Sequence, residues 1–282
     1  CALPISPYGR HWLPRFERAV TEAASLRWLS TLSGAYEPLA AHLAADVAMG
    51  ASVLHANRLQ TEAVQLLVID EAGGPYGAGK DTAYLGERWR TERAQVTLIS
   101  PRSAPVTASG AKPPEGRADR CLTAMLHIAF DGVDTIDDTA FATALDTMIA
   151  PFRDACDSIA NQPDVILPCG NARIVAFADP DRAWRHAAAL LALPQAKGRL
   201  RLAGHYGLAH WLGTPPALVG TSVTALEALA PVAMPGVLTA SETLASALFV
   251  NQSDAILAEE IGTWRGDVLF ALTAVPDNGS CQ

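Results

Sequence analysis

Leu122-Thr-Ala-Met-Leu-His-Ile-Ala-Phe-Asp-Gly-Val133 opens the half of the chain whose reading decides the fold. The apolar run over 122–130 suits a buried strand, and Asp131-Gly132 suits the turn that ends it. Helical spacing follows over 138–160, despite Pro151. Two short strands over 165–167 and 172–177 flank Pro168-Cys169-Gly170-Asn171, a hairpin signal. A helix over 179–193, with Asp179 or Asp181 near its cap, leads to a strand over 200–208. The order is β-α-β-β-α-β, the ferredoxin-like arrangement. Beyond it the pattern predicts a helix over 219–229, a strand over 237–239, a helix over 241–249 capped by Ser241, and a closing strand over 268–275.

Upstream, residues 12–60 read as helical. Phe16, Val20 and Leu26 to Leu29 recur at helical spacing, and Leu39, Leu43, Val47 and Leu54 continue the pattern. A strand over 64–70, a glycine-rich loop from Gly73 to Lys80, a helix over 81–93 and a strand over 96–99 suggest a small Rossmann-like unit. The proline-rich stretch 101–118 has linker composition. The expected division is a helical and Rossmann-like module over 1–100, a linker over 101–118, a second domain over 119–276 and a tail over 277–282. The fold class is α/β (α+β).

The chain has 282 residues and is half hydrophobic, which excludes a disordered chain. A net charge of −8 with no basic block argues against nucleic acid and against an anionic membrane surface. The 5 cysteines are scattered and form no C-x-x-C, so neither a disulfide framework nor a structural zinc site is expected, and a cytoplasmic setting fits. Residues 202–241 carry Glu227 alone as a formal charge, but glycines and prolines break them too often for a spanning helix. With Cys1 in place of a starting Met, the chain is expected to be part of a longer one.

Residues 120–275 resemble the catalytic homology domain of class III adenylate and guanylate cyclases. The stretch over 122–133 resembles the family's first strand, an apolar run through F-x-D-x-x-G-F. Pro168-Cys-Gly-Asn-Ala-Arg-Ile-Val-Ala-Phe177 is similar to its hairpin with G-D, and Leu200-Arg-Leu-Ala-Gly-His-Tyr-Gly207 to its R-I-G-x-H-x-G strand. Gly220-Thr-Ser-Val-Thr-Ala-Leu-Glu-Ala-Leu-Ala-Pro231 is similar to G-x-x-V-N-x-A-x-R, and Pro235-Gly236 and Ala240-Ser241-Glu242 fit the continuation.

The resemblance implies a reaction in which two carboxylates hold two divalent ions on the triphosphate, while an Asn and an Arg position ribose and stabilise phosphate charge. The metal positions here hold Ala129 and Asn171, and the Asn and Arg positions hold Thr224 and Ala228. The base-reading positions fall near Leu167 and Ala217. Asp131 shares a strand face with Ala129 and is the candidate substitute carboxylate; its other reading is the residue that begins the turn at Gly132. His205, His127, Trp184 and Trp211 read as core or dimer surface.

A second candidate site is the loop Gly74, Gly77, Gly79 and Lys80, which satisfies G-x-x-x-x-G-K between a strand and a helix. Asp81 stands where that motif needs Ser or Thr for Mg²⁺, so the loop reads as a turn whose amides cap a helix and could receive an anion. The module around it also resembles α/β units that precede cyclase-like domains in bacterial signalling proteins. The expected function is therefore a degenerate cyclase-like signalling or regulatory protein. It would bind a partner without turnover, as a homodimer or with another cyclase-type domain, and a nucleotide is a further candidate ligand. The alternatives are an active adenylate or guanylate cyclase using Mg²⁺ or Mn²⁺, and a phosphate-binding module centred on residues 74–80. No metal or cofactor is expected under the first reading.

Overall fold

A computed structural model describes residues 12–30, 38–68, 85–89, 96–99, 120–132, 137–169, 171–196, 198–213, 217–251 and 254–275. The glycine-rich loop and the proline-rich linker lie outside these residues. The upstream elements are helix α1 (Trp12–Glu22), helix α2 (Pro38–Arg58), strand β1 (Gln65–Val68), a short helix α3 (85–89) and strand β2 (Val96–Ile99). The apolar cluster at 26–29 predicts continued helix, but α1 ends at Glu22 and that segment is irregular. β1 and β2 pair in parallel, Gln65 with Val96 through Val68 with Ile99.

Strand β3 (Arg120–Phe130) begins the second half. Helix α4 (Asp138–Ala144), a π-helical turn (Leu145–Ile149) and helix α5 (Ala150–Asp157) form one helical path. Pro151 lacks an N–H and crowds the preceding turn, which accounts for the widened backbone just before it. Strands β4 (Val165–Cys169) and β5 (Ala172–Phe177) form the expected hairpin. Pro168 is tolerated because β4 lies at the sheet edge. Helix α6 (Pro180–Ala192) follows, with the Asp179 carboxylate accepting a hydrogen bond from the Asp181 N–H. Strand β6 (Leu200–Leu212) runs four residues beyond the stretch predicted from sequence.

The sheet order β4-β5-β3-β6, with each neighbour antiparallel, is the ferredoxin-like order, so the predicted β-α-β-β-α-β fold is present. Strand β7 (Ala217–Val219) pairs with β6 and precedes helix α7 (Thr221–Leu229). Strand β8 (Leu238–Ser241) adds parallel to β6, helix α8 (Glu242–Asn251) follows, and strands β9 (Ile256–Trp264) and β10 (Asp267–Ala274) close the sheet.

Alternation along the strands divides the apolar residues between two faces. Ala124, Leu126, Val175, Phe177, Leu200 and Leu202 belong to a core that also holds residues of α2, α6 and α8; Met125, Ile174, Ala176, Ala203 and Ala209 pack under α7. α2 is long and apolar enough by length and composition to cross a membrane. Here Leu43, Val47 and Val53 are buried in the first core, on the same side as Leu244 and Leu248 of α8. The helices meet at backbone distance: a Cβ on Gly50 would stand 1.7 Å from the Ser246 carbonyl oxygen. A buried ion pair ties α3 to the same structure, since Arg88 Nε lies 2.8 Å from Asp46 Oδ1 of α2. The Tyr206 hydroxyl of β6 donates to the other Asp46 oxygen at 3.4 Å.

Candidate functional site

Two clefts collect the residues that the sequence singles out. The first is a cavity of about 90 Å³ between β3, β5 and α5. Ala129, near the end of β3, and Asn171, in the β4–β5 turn, both line it. Its walls are otherwise mostly apolar, with Ile128, Phe130, Phe152 and Val175 prominent. Phe130 and Phe152 meet edge to face with ring centroids 4.8 Å apart. The Cys156 thiol is pushed up to about 11 by burial, which the charge of Arg173 opposes. His186 is also shifted toward its neutral form by burial, and its Nδ1 lies 2.9 Å from the Asn161 carbonyl oxygen.

Ala129 pairs directly with Arg201 across the β3–β6 ladder, so the two side chains project from the same face. The guanidinium of Arg201 bonds Asp131, with Nη2 and Oδ1 2.5 Å apart. The Asp131 N–H also donates to the Arg199 carbonyl at 2.7 Å, fixing the turn. The candidate substitute carboxylate is thus held by a cation. Alanine has no donor, Asn171 offers a neutral oxygen, and Asp131 is paired, so these residues do not fit a pair of divalent ions. Among the described residues, no group of three or more His, Cys, Asp and Glu side chains is placed to hold a metal.

The second cleft, of about 240 Å³, lies between α7 and the β9–β10 turn. Thr224 and Ala228 line it together with His205, Trp264, Arg265 and Asp267. Gly220, at φ 139°, makes the backbone turn into α7 that an L side chain resists. A Cβ on Gly207 would stand 2.3 Å from Ser222 Oγ, so glycine lets α7 sit close to β6. His205 Nδ1 lies 3.0 Å from Ser241 Oγ, which is 2.9 Å from Thr243 Oγ1. Burial lowers the His205 pKa to about 4, so the imidazole is neutral and serves as a packed, hydrogen-bonded group. At the rim, Arg265 lies over the Trp264 ring at 5.5 Å. Arg27 reaches Glu242 at 2.5 Å and Asp267 at 3.5 Å, bringing the irregular segment before α2 against the cleft mouth.

The structure therefore joins Ala129 with Asn171 and Thr224 with Ala228, in separate clefts. It leaves Asp131 outside the lining of both. Leu167 packs under the α7 face, and Ala217 lies on the short strand β7. His127 is shifted toward its neutral form by burial, Trp184 is buried in the first core, and Trp211 Nε1 donates to Thr123 Oγ1 at 3.3 Å. Gly74, Gly77, Gly79 and Lys80 lie outside the described residues. Sequence reasoning missed Arg201, Arg173, the α5 residues and the Trp264–Asp267 turn. The segment Arg265-Gly266-Asp267, between Trp264 and the apolar run from Val268 to Leu272, was the available signal for that last hairpin.

No family model and no curated protein matches this chain. Solved structures do. The chain is similar to the catalytic core of a rhodopsin-guanylyl cyclase with converted specificity in complex with ATPalphaS, at 12% identity over 55% of this chain and 97% of that one, with a TM-score of 0.47. It is similar to the adenylyl cyclase CyaB from P. aeruginosa, at 13% identity over 56% and 96% of the two chains, with a TM-score of 0.43. It is also similar to an adenylate/guanylate cyclase/hydrolase from Silicibacter pomeroyi, at 18% identity over 57% and 99%, with a TM-score of 0.42. These three solved structures are nucleotide cyclases, while the ferredoxin-like fold of this chain follows from its own strand order β4-β5-β3-β6.

Proposed function

We propose that this chain is a signalling or regulatory protein whose cyclase-like half binds a partner domain, either a second copy of itself or another cyclase-type domain, without forming cyclic nucleotide. The observation that carries this is the ladder position of Arg201. Where the metal-binding role needs two carboxylates, the chain has Ala129 opposite a guanidinium that already engages Asp131. With Asp131 committed to Arg201, that place offers a divalent ion no free carboxylate. Thr224 and Ala228 supply neither the amide nor the guanidinium that stabilises charge in the transition state. Loss of these polar groups leaves association intact, because pairing rests on packing. Incubation of the purified protein with ATP or GTP and Mg²⁺ or Mn²⁺ tests the reading: no cyclic AMP or cyclic GMP is expected, and turnover that disappears in Asp131→Ala overturns it.

A further inference from the structure

The first cleft has a chemistry of its own. Its interior is apolar, with Ile128, Phe130, Phe152 and Val175 around about 90 Å³ of space. An apolar cavity of about 150 Å³ takes a benzene ring, so this one takes a chain of about four carbons. The π-helical turn over Leu145–Ile149 brings Ile149 into the lining, and such turns within helices concentrate at functional sites. The mouth is charged. Arg153, Arg173 and Asp157 line it, and Arg153 is engaged with Asp154 at 3.3 Å. Arg173 is exposed and has no carboxylate partner among the described residues. Cys156 and His186, the titratable groups of the inner wall, are both held toward their neutral forms by burial.

We propose that this cleft binds a small carboxylate with an apolar body, the body among Ile128, Phe130, Phe152 and Val175 and the carboxylate on Arg173. The proposal goes beyond the reading above: Ala129 borders the cleft, but its side chain shares the face of Arg201, opposite to Ile128 and Phe130. A planar guanidinium takes a carboxylate bidentately, and the neutral wall accepts hydrocarbon without stranding a charge.

Pentanoate is the probe, titrated into the full chain and followed by ligand-observed NMR and by methyl shifts of Ile128 and Ile149. Binding is expected, weakening about fourfold for each methylene removed from the chain. Pentylammonium and 1-pentanol are expected to bind about tenfold more weakly or worse, and Arg173→Gln to cost a similar factor for pentanoate alone. Cys156→Leu, which fills the cavity, is expected to abolish binding while the amide spectrum stays folded. Equal binding of the amine or the alcohol, no effect of Arg173→Gln, or no methyl shifts up to millimolar pentanoate each overturns the proposal. Cyclic nucleotide formation overturns the pseudocyclase reading and is measured separately, so the two failures are distinguishable.

Discussion

Arg201 stands directly across the β3–β6 ladder from Ala129, and its guanidinium is committed to Asp131 at 2.5 Å. Both members of that ion pair are more than a third exposed, so the pair contributes about 1 kcal/mol or less to stability. Its importance is positional. A carboxylate introduced at residue 129 meets Arg201 before it meets a metal ion. The double variant Ala129→Asp, Asn171→Asp is therefore expected to bind Mn²⁺ no better than the wild type in electron paramagnetic resonance titrations. Adding Arg201→Gln is expected to produce measurable binding. Binding by the double variant alone would show that Arg201 does not occupy the position assigned to it.

The contact between α2 and α8 predicts an intolerant glycine. A methyl group on Gly50 would fall 1.7 Å from the Ser246 carbonyl oxygen, and backbone cannot yield as a side-chain tip can. Gly50→Ala is expected to cost about 1–3 kcal/mol, or to separate the two helices. Gly213→Ala, with nothing within 4 Å, is the control and should be nearly neutral. Urea unfolding of both variants decides the point, and equal stability would mean that α2 does not seat on α8 as described.

Asp46 is almost fully buried, and burial raises its pKa against the opposing influence of Arg88. Removing the cation in Arg88→Met strands a carboxylate in the core, with an expected loss of about 3–5 kcal/mol. Because Arg88 lies on α3 and Asp46 on α2, hydrogen exchange should rise in both helices together. Exchange confined to α3 would argue against the coupling.

The neutral His205 gives a pH dependence with a definite sign. Its folded pKa of about 4 lies below the ordinary value of 6.5, so folding favours the neutral form. Its contribution is complete above about pH 6.5 and is lost progressively as the pH falls toward 4. NMR titration should find the imidazole still neutral at about pH 5. The urea midpoint should fall less steeply over that window in His205→Gln. An imidazole that titrates at its ordinary value would show that the β6 and α8 packing does not desolvate His205.

The sequence made the elements legible wherever apolar runs were bounded by turn chemistry. The 122–130 run, the Pro168–Asn171 turn and the glycines of β6 suffice for the ferredoxin-like core. β9 was missed because Glu259 and Glu260 interrupt its alternation, and the strand is held by its ladder with β10 more than by burial of its own side chains. The apolar residues at 26–29 match a helix but lie in an irregular segment fixed by Arg27 ion pairs, which local spacing does not encode. Ala129, Asn171, Thr224 and Ala228 could be placed from motifs. Arg201 could not be matched to Ala129, because that relationship is cross-strand register, set only when the whole sheet assembles.

Complementation tests the central claim most directly. In the family that the sequence resembles, one domain of a pair supplies metal carboxylates and the other supplies the Asn and Arg. This chain is therefore mixed in turn with a cyclase domain retaining only the carboxylate set and with one retaining only the Asn and Arg set. Each mixture is assayed for cyclic AMP and cyclic GMP, with association followed by analytical ultracentrifugation. Association without cyclic nucleotide above either domain alone is the predicted result, since Ala129 with Asn171 and Thr224 with Ala228 leave neither half-site competent. Production of cyclic nucleotide in either mixture would contradict it.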